Sequence, residues 1–140
     1  MNDVGTSQTT ALMTACRSGC MKMIKLLLAR GANVDVPDSS GYTALLLASA
    51  GGKIEVFKLL LTSGADIEQP DNYGNTPLIL AASGRKYNRI VPLLEAGADV
   101  TATNNIGETA LDHLRDHPSM LELCERYRER NMGLQKPLLK

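Results

Sequence analysis

A three-residue marker returns every 33 residues along this chain of 140: Thr10-Ala11-Leu12, Thr43-Ala44-Leu45, Thr76-Pro77-Leu78 and Thr109-Ala110-Leu111. A second marker, Gly31-Ala32-Asn33, Gly64-Ala65-Asp66 and Gly97-Ala98-Asp99, keeps the same interval. Two markers locked in one register constrain the fold more than any feature of composition. Each unit is a supersecondary element that cannot bury its own apolar face, so it must stack on its neighbours, and four copies exceed the roughly three needed for independent stability.

The clearest copy runs from Asp71 to Ala82. Asn72, Tyr73 and Gly74 supply turn chemistry, with Gly74 able to take a positive φ. Thr76 is placed to cap a helix and Pro77 to occupy its first position, where the missing N–H is not needed. Leu78, Leu80, Ala81 and Ala82 then form an apolar face of mostly small residues. A turn, two helices and a Gly-Ala-Asp stop on a 33-residue period resemble the ankyrin repeat family. The resemblance covers Thr9 to Leu114 and extends toward Arg130. It implies an all-α solenoid of stacked helix-turn-helix units linked by β-turn or hairpin loops.

The expected organisation is one domain over residues 1–130, with repeats at 5–37 (an N-terminal cap), 38–70, 71–103 and 104–130 (a C-terminal cap), and a flexible tail at 131–140 that is frayed or the remnant of a longer chain. In the first unit, helices are expected from about Thr10 to Arg17 and Met21 to Ala29, with Met23, Ile24, Leu27 and Leu28 facing the stack. In the second, Gly41 makes the turn, Thr43 caps, and a helix over Glu55 to Thr62 turns Val56, Phe57, Leu60 and Leu61 inward. In the third, Arg85 stands where the family has glycine, and Pro92 falls within the second helix. A helix-interior proline costs roughly 3 kcal/mol. The expectation is therefore a bulged loop from Gly84 to Asn88, with the helix starting near Arg89 and Pro92 in its first turn. In the fourth, Pro118 is expected to end the first helix, and Ser119 with Glu122 to form a capping box for a helix from Met120 to Arg130.

Fifteen basic and fifteen acidic residues cancel, so no overall field draws nucleic acid or an anionic membrane. Three cysteines, Cys16, Cys20 and Cys124, are an odd number without metal-ligand spacing, which favours reduced, inert thiols. No signal core follows the N-terminus, and apolar runs such as Leu26-Leu27-Leu28-Ala29 are too short to span a bilayer. A monomeric protein of the cytoplasm or nucleus is expected.

No nucleophile with its base, paired carboxylates, phosphate-cradling loop or metal cluster stands at usable spacing, so no enzyme activity, cofactor or metal is expected. His113 and His117 lie four apart beside Asp116, but no third ligand is fixed by spacing and Pro118 follows at once; they read as surface histidines. Arg85, Lys86 and Arg89 read as a solvated loop, with contact to an acidic partner or phosphate as the alternative.

The family's helix start is Thr-Pro-Leu-His, and the equivalents of the histidine are Met13, Leu46, Ile79 and Asp112. The polar link between turns is therefore replaced, either by packing or by an exposed apolar strip. The resemblance implies a protein or peptide partner bound along the concave face, by turn tips and first helices. Carried onto this chain, the candidate contacts are Arg17, Ser39, Ser40, Tyr42, Leu46, Asn72, Tyr73, Asn75, Ile79, Ser83, Arg85, Asn105, Ile106 and Glu108. Tyr42 and Tyr73 are the expected anchors, because rigid amphipathic rings favour hot spots. Leu46 and Ile79 are expected as apolar floor beside Ala50, Gly51, Ser83 and Gly84, which leave a shallow trough. A scaffold or adaptor domain is the expected role; the alternative is a stand-alone regulator that occludes an enzyme.

Overall fold

A computed structural model describes residues 11–132. Eight helical segments alternate with turns, and no strand occurs among the described residues. Helix α1 covers residues 11–18 and α2 Met21–Ala29. They are followed by α3 (Ala44–Ala50) and α4 (Ile54–Thr62), then by α5 (Pro77–Ser83) and α6 (Tyr87–Glu95). A short 3-10 helix, Ala110–Leu114, and α7, Pro118–Met132, complete the fourth pair. First helices pack on first helices, α3 on α5 and α5 on the 3-10 helix, while second helices pack α4 on α6 and α6 on α7. The result is the all-α stack that the period requires. The expected start of the N-terminal cap, Thr10 at the expected start of its first helix, and residues 133–140 of the expected tail lie outside the described residues. Residues 131 and 132 are the last of α7.

Local chemistry sets the boundaries. The buried Thr43 hydroxyl accepts the Leu46 N–H at 3.2 Å, and that of Thr76 accepts the Ile79 N–H at 3.3 Å, with Pro77 at the first helical position. Each cap satisfies one of the donors that a helix start leaves over. Second helices end alike: the Gly31 and Ala32 N–H groups bond back to Leu28 and Leu27, and Gly64–Ala65 and Gly97–Ala98 repeat the pattern. The glycine in this closure takes φ 88°, 88° and 96° in the three copies, the left-handed region that costs it nothing. Between those boundaries Ile24, Leu45, Phe57, Leu60, Leu78, Ile90, Leu93 and Leu114 form one continuous core.

The structure corrects four expectations. No bulge separates α5 from α6, because Arg85 itself adopts φ 59° and does the work of Gly19 and Gly52 at the equivalent positions, where φ is 75° and 82°. With the loop kept short, α6 begins at Tyr87 and holds Pro92 in its interior. The proline deletes the N–H that would reach the Asn88 carbonyl, a group on an exposed residue. Pro118 starts α7 instead of ending the first helix. It does so two residues ahead of position 120, the 33-residue equivalent of Tyr87, which leaves room only for the 3-10 turn. The α7 cap is His117: its Nδ1 accepts the Met120 N–H at 3.2 Å, while Glu122 pairs along the helix with Arg126 rather than closing a box with Ser119. Met23, expected in the stack, is 44% exposed.

Candidate functional site

Each turn tip is built on one carboxylate or amide oxygen. Asp38 Oδ1 accepts the N–H groups of Ser40 and Tyr42, both at 2.9 Å, and Asp71 Oδ1 those of Tyr73 and Asn75, also at 2.9 Å. Asn104 Oδ1 does the same for Ile106 at 3.1 Å and Glu108 at 2.9 Å. These brackets mimic a backbone turn and aim the residue two places on outward. That residue is Ser40, then Tyr73, then Ile106. Tyr73 is 70% and Ile106 77% exposed, the most exposed large apolar side chains among the described residues.

Successive tips are clamped together. Asn72 donates its backbone N–H to Ser40 O at 3.2 Å and its side-chain amide to Ser39 O at 3.1 Å. One repeat later Asn105 donates to Tyr73 O at 2.9 Å and to Asn72 O at 3.0 Å. A Cβ on Gly74 would stand 2.6 Å from Asn105 Oδ1, so only glycine admits this approach. Asn72 and Asn105, two of the candidate contacts, therefore have their amides committed to neighbouring tips.

Among the other candidates, Arg17, Ser39, Ser40, Ser83 and Arg85 are exposed, and Tyr42, Asn75 and Glu108 are half-buried. Asn75 Oδ1 accepts the Asn104 amide at 2.9 Å. Leu46 and Ile79 are not a groove floor: they are 0% and 2% exposed. Small first-helix residues let neighbouring helices approach until the two side chains are enclosed, so packing replaces the lost histidine link. Arg85 stands apart from the tips, between α5 and α6, with its guanidinium 2.6 Å from Asp116 Oδ2 and 3.4 Å from the Tyr87 hydroxyl. That contact raises the Arg85 pKa and lowers that of Asp116.

Two of the surface clefts among the described residues involve these candidates. One, of about 310 Å³, lies between the third and fourth tips and is lined by Tyr73, Asn75, Ser83, Asn105, Ile106 and Glu108, together with Asn104 and His113. Here Glu108 Oε1 meets Asn104 Nδ2 at 3.1 Å and His113 Nε2 at 3.2 Å. The other, of about 330 Å³, lies between the first and second repeats, where Arg17, Ala50, Gly51 and Lys53 contribute.

Charge is sorted between the two kinds of loop. The three inter-repeat segments 30–43, 63–76 and 96–109 hold Asp35, Asp38, Asp66, Glu68, Asp71, Asp99 and Glu108, and Arg30 is their one lysine or arginine. Local titration reflects this. Burial, followed by the carboxylates of Asp99 and Asp66, holds the Glu68 carboxyl above its ordinary value although its Oε2 accepts the Asp99 N–H at 2.7 Å. Burial and then Asp71 and Asp38 raise the Tyr42 hydroxyl.

Cations gather instead near the inter-helix loops, and one of them is not solvated as expected. Arg89 is 4% exposed. Its Nε donates to Ala48 O at 2.9 Å, its Nη2 to Gly51 O at 3.2 Å and to Gly52 O, and its Nη1 to Asn88 Oδ1 at 2.8 Å. The guanidinium lies 5.8 Å from the Phe57 ring centroid. Arginine 41 residues from its acceptor leaves no local signal in a sequence; only the departure from an apolar residue at the equivalent Val56 marks the position.

Burial raises the Cys16 and Cys124 thiols to about 11, which keeps them protonated at neutral pH. Among the described residues no three or more His, Cys, Asp or Glu side chains converge as a metal site, and no helix is long and apolar enough to cross a membrane.

A family model described as ankyrin repeats in three copies matches residues 1–71 and again residues 38–104. The two overlapping matches together run from residue 1 to residue 104 of 140, and end at the first residue of the fourth repeat, whose first helix is the 3-10 turn. No curated protein matches the chain.

Proposed function

Because this chain belongs to the ankyrin-repeat family, whose members are generally protein–protein interaction modules, we propose that it is a non-enzymatic scaffold or adaptor that holds a polypeptide segment of a partner against its tips and first helices. The observation that carries this reading is the pair Tyr73 and Ile106. They occupy equivalent positions of adjacent tips, they are the most exposed large apolar groups described, and they flank a cleft. An aromatic ring held out by a rigid turn loses little entropy on binding and presents both an apolar face and a hydroxyl. The tips themselves are clamped, so a partner meets a preorganised surface, which favours affinity by limiting the ordering cost of association.

In this reading residues 1–130 act as one unit, monomeric until the partner arrives and working inside the cell. Binding centres on the second to fourth tips, through Ser39, Ser40, Tyr42, Tyr73, Ile106 and Glu108, with Arg17 and Ser83 beside them. Asn72, Asn75 and Asn105 support the surface more than they contact a partner. The test is affinity purification from the source cell with mass spectrometry, followed by titration of the recovered partner. Tyr42→Ala and Tyr73→Ala should each weaken affinity while leaving the melting temperature within error. Affinity unchanged in both variants overturns the assignment of the surface.

A further inference from the structure

The tip that walls the cleft between the third and fourth repeats has an equivalent at the start of the stack that an arginine of this chain already reaches. Arg17 sits at a position whose 33-residue equivalents are Ala50 and Ser83, and its Nη2 lies 3.9 Å from Oδ2 of Asp38, on the tip of the next repeat. The equivalents of Asp38 are Asp71 and Asn104. The chain thus lays one of its own arginines from a first helix to the following tip. At Ser83 the side chain is too short to do so, and the space facing Asn104 remains open as the cleft of about 310 Å³.

We propose that this cleft receives an arginine side chain of a partner polypeptide, with the guanidinium against Glu108 and the methylene stem along Tyr73 and Ile106. The inference rests on the reading of this face as protein-binding and adds the chemical class of the residue bound. Three observations support it. Glu108 is oriented by Asn104 and His113, which both engage Oε1; a carboxylate has about four lone-pair sites, so acceptor capacity is left for a forked donor. Tyr73 and Ile106 offer exposed apolar surface of the kind that arginine covers with its stem and stacks on with its planar head. The inter-repeat segments around the cleft carry carboxylates and no lysine or arginine, so a cationic partner is favoured over an anionic one. Arginine is preferred to lysine because its fork matches a carboxylate and its head is less strongly hydrated, and because the residue that reaches the equivalent tip, Arg17, is an arginine.

The probe is Nα-acetyl-arginine-N-methylamide titrated into the isotope-labelled full chain and followed by amide resonances, with the citrulline analogue as neutral isostere and the lysine analogue as alternative cation. The arginine probe should shift Tyr73, Ile106 and Glu108 saturably in the millimolar range, and the citrulline analogue several-fold more weakly, since a charged pair at a partly exposed site is worth up to about 1 kcal/mol, or roughly fivefold. Glu108→Gln should abolish the difference between arginine and citrulline. Ser83→Arg, at an exposed position, should block the probe by supplying the missing side chain from within. Equal shifts from arginine and citrulline, no shifts from arginine, or a lysine response as strong as that of arginine overturns the proposal. Because the probe needs no partner, its failure is separate from that of the functional reading, which fails only if the tyrosine variants leave partner affinity unchanged.

Discussion

The Nε of Arg89 donates to the carbonyl oxygen of Ala48 at 2.9 Å, across the boundary between the third and second repeats. Ala48 lies in the last turn of α3, where the carbonyls have no partner further along the helix. The same guanidinium takes the carbonyls of Gly51 and Gly52, so one side chain closes the end of the preceding repeat's first helix. Burial lowers the Arg89 pKa, and the carbonyl dipoles offset part of that cost.

Arg89→Ala should therefore destabilise the fold by about 2–3 kcal/mol, the range for buried bonds to a charged group whose acceptors are then left over. Arg89→Lys should recover less than half of it, since a point donor cannot serve three carbonyls. Urea denaturation of the three proteins gives the values. A fully stable Arg89→Met variant would show that the stem packing on Phe57, and not the bonds, carries the effect.

Arg85 makes a different test, because backbone and side chain act in opposite directions. A left-handed φ of 59° strains any residue with a Cβ, while the guanidinium gains the exposed pair with Asp116. Arg85→Gly and Arg85→Ala both remove the pair, and only glycine removes the strain. The glycine variant should exceed the alanine variant in stability by roughly 1 kcal/mol, measured by denaturation at one pH.

His117→Ala should remove the side-chain acceptor at the start of α7 and cost about 1 kcal/mol, as other lost N-caps do. The His117 ring also stacks at 4.4 Å, tilted by 58°, on Tyr87 of α6. Hydrogen exchange should show the loss confined to α7 and its contact with α6, with the first three helix pairs unchanged.

Acid and neutral pH should expose carboxylates of opposite character. The Glu68 pKa is raised above 4.5, so its contribution is fully present below that value and is lost as pH rises through the folded value. Glu68→Gln keeps an acceptor for Asp99 and should raise the melting temperature at about pH 7, with the gain vanishing at about pH 3.5. Asp112 and Asp116 are lowered below 3.8, the first chiefly by the Thr109 N–H and the second by Arg85. Their stabilisation is present above 3.8 and is lost as pH falls through the folded values. Asp116→Asn should flatten the acid limb of a melting-temperature profile, and Glu68→Gln should not.

The period, the threonine caps and the glycine stops were legible in the sequence because each is satisfied within a few residues of itself. Arg85 was misread as a site of loop expansion for the opposite reason. Its left-handed backbone is tolerated because α5 and α6 pack on both neighbouring repeats, and a local penalty of that size yields to tertiary contacts. His117 and Arg89 escaped notice because a histidine cap is uncommon and because the arginine's acceptors lie in another repeat. At the tips, which residues stand outermost followed from turn chemistry, as Tyr73 illustrates. The commitment of Asn72 and Asn105 depends on how closely two tips approach. Leu46 and Ile79 looked available only while the spacing of α3, α5 and the 3-10 helix was unknown.

The sorting of charge between loops has a kinetic meaning. With seven carboxylates and, of the lysines and arginines, Arg30 alone in the inter-repeat segments, and with Lys53, Arg85 and Lys86 around the inter-helix loops, a molecule of zero net charge still separates charge across its described residues. An approaching charged body feels a torque before it feels a net pull, so encounters are rotated toward one edge of the stack. The association rate of this neutral protein should consequently fall as ionic strength rises and the screening length shrinks toward about 8 Å, with the dissociation rate far less affected.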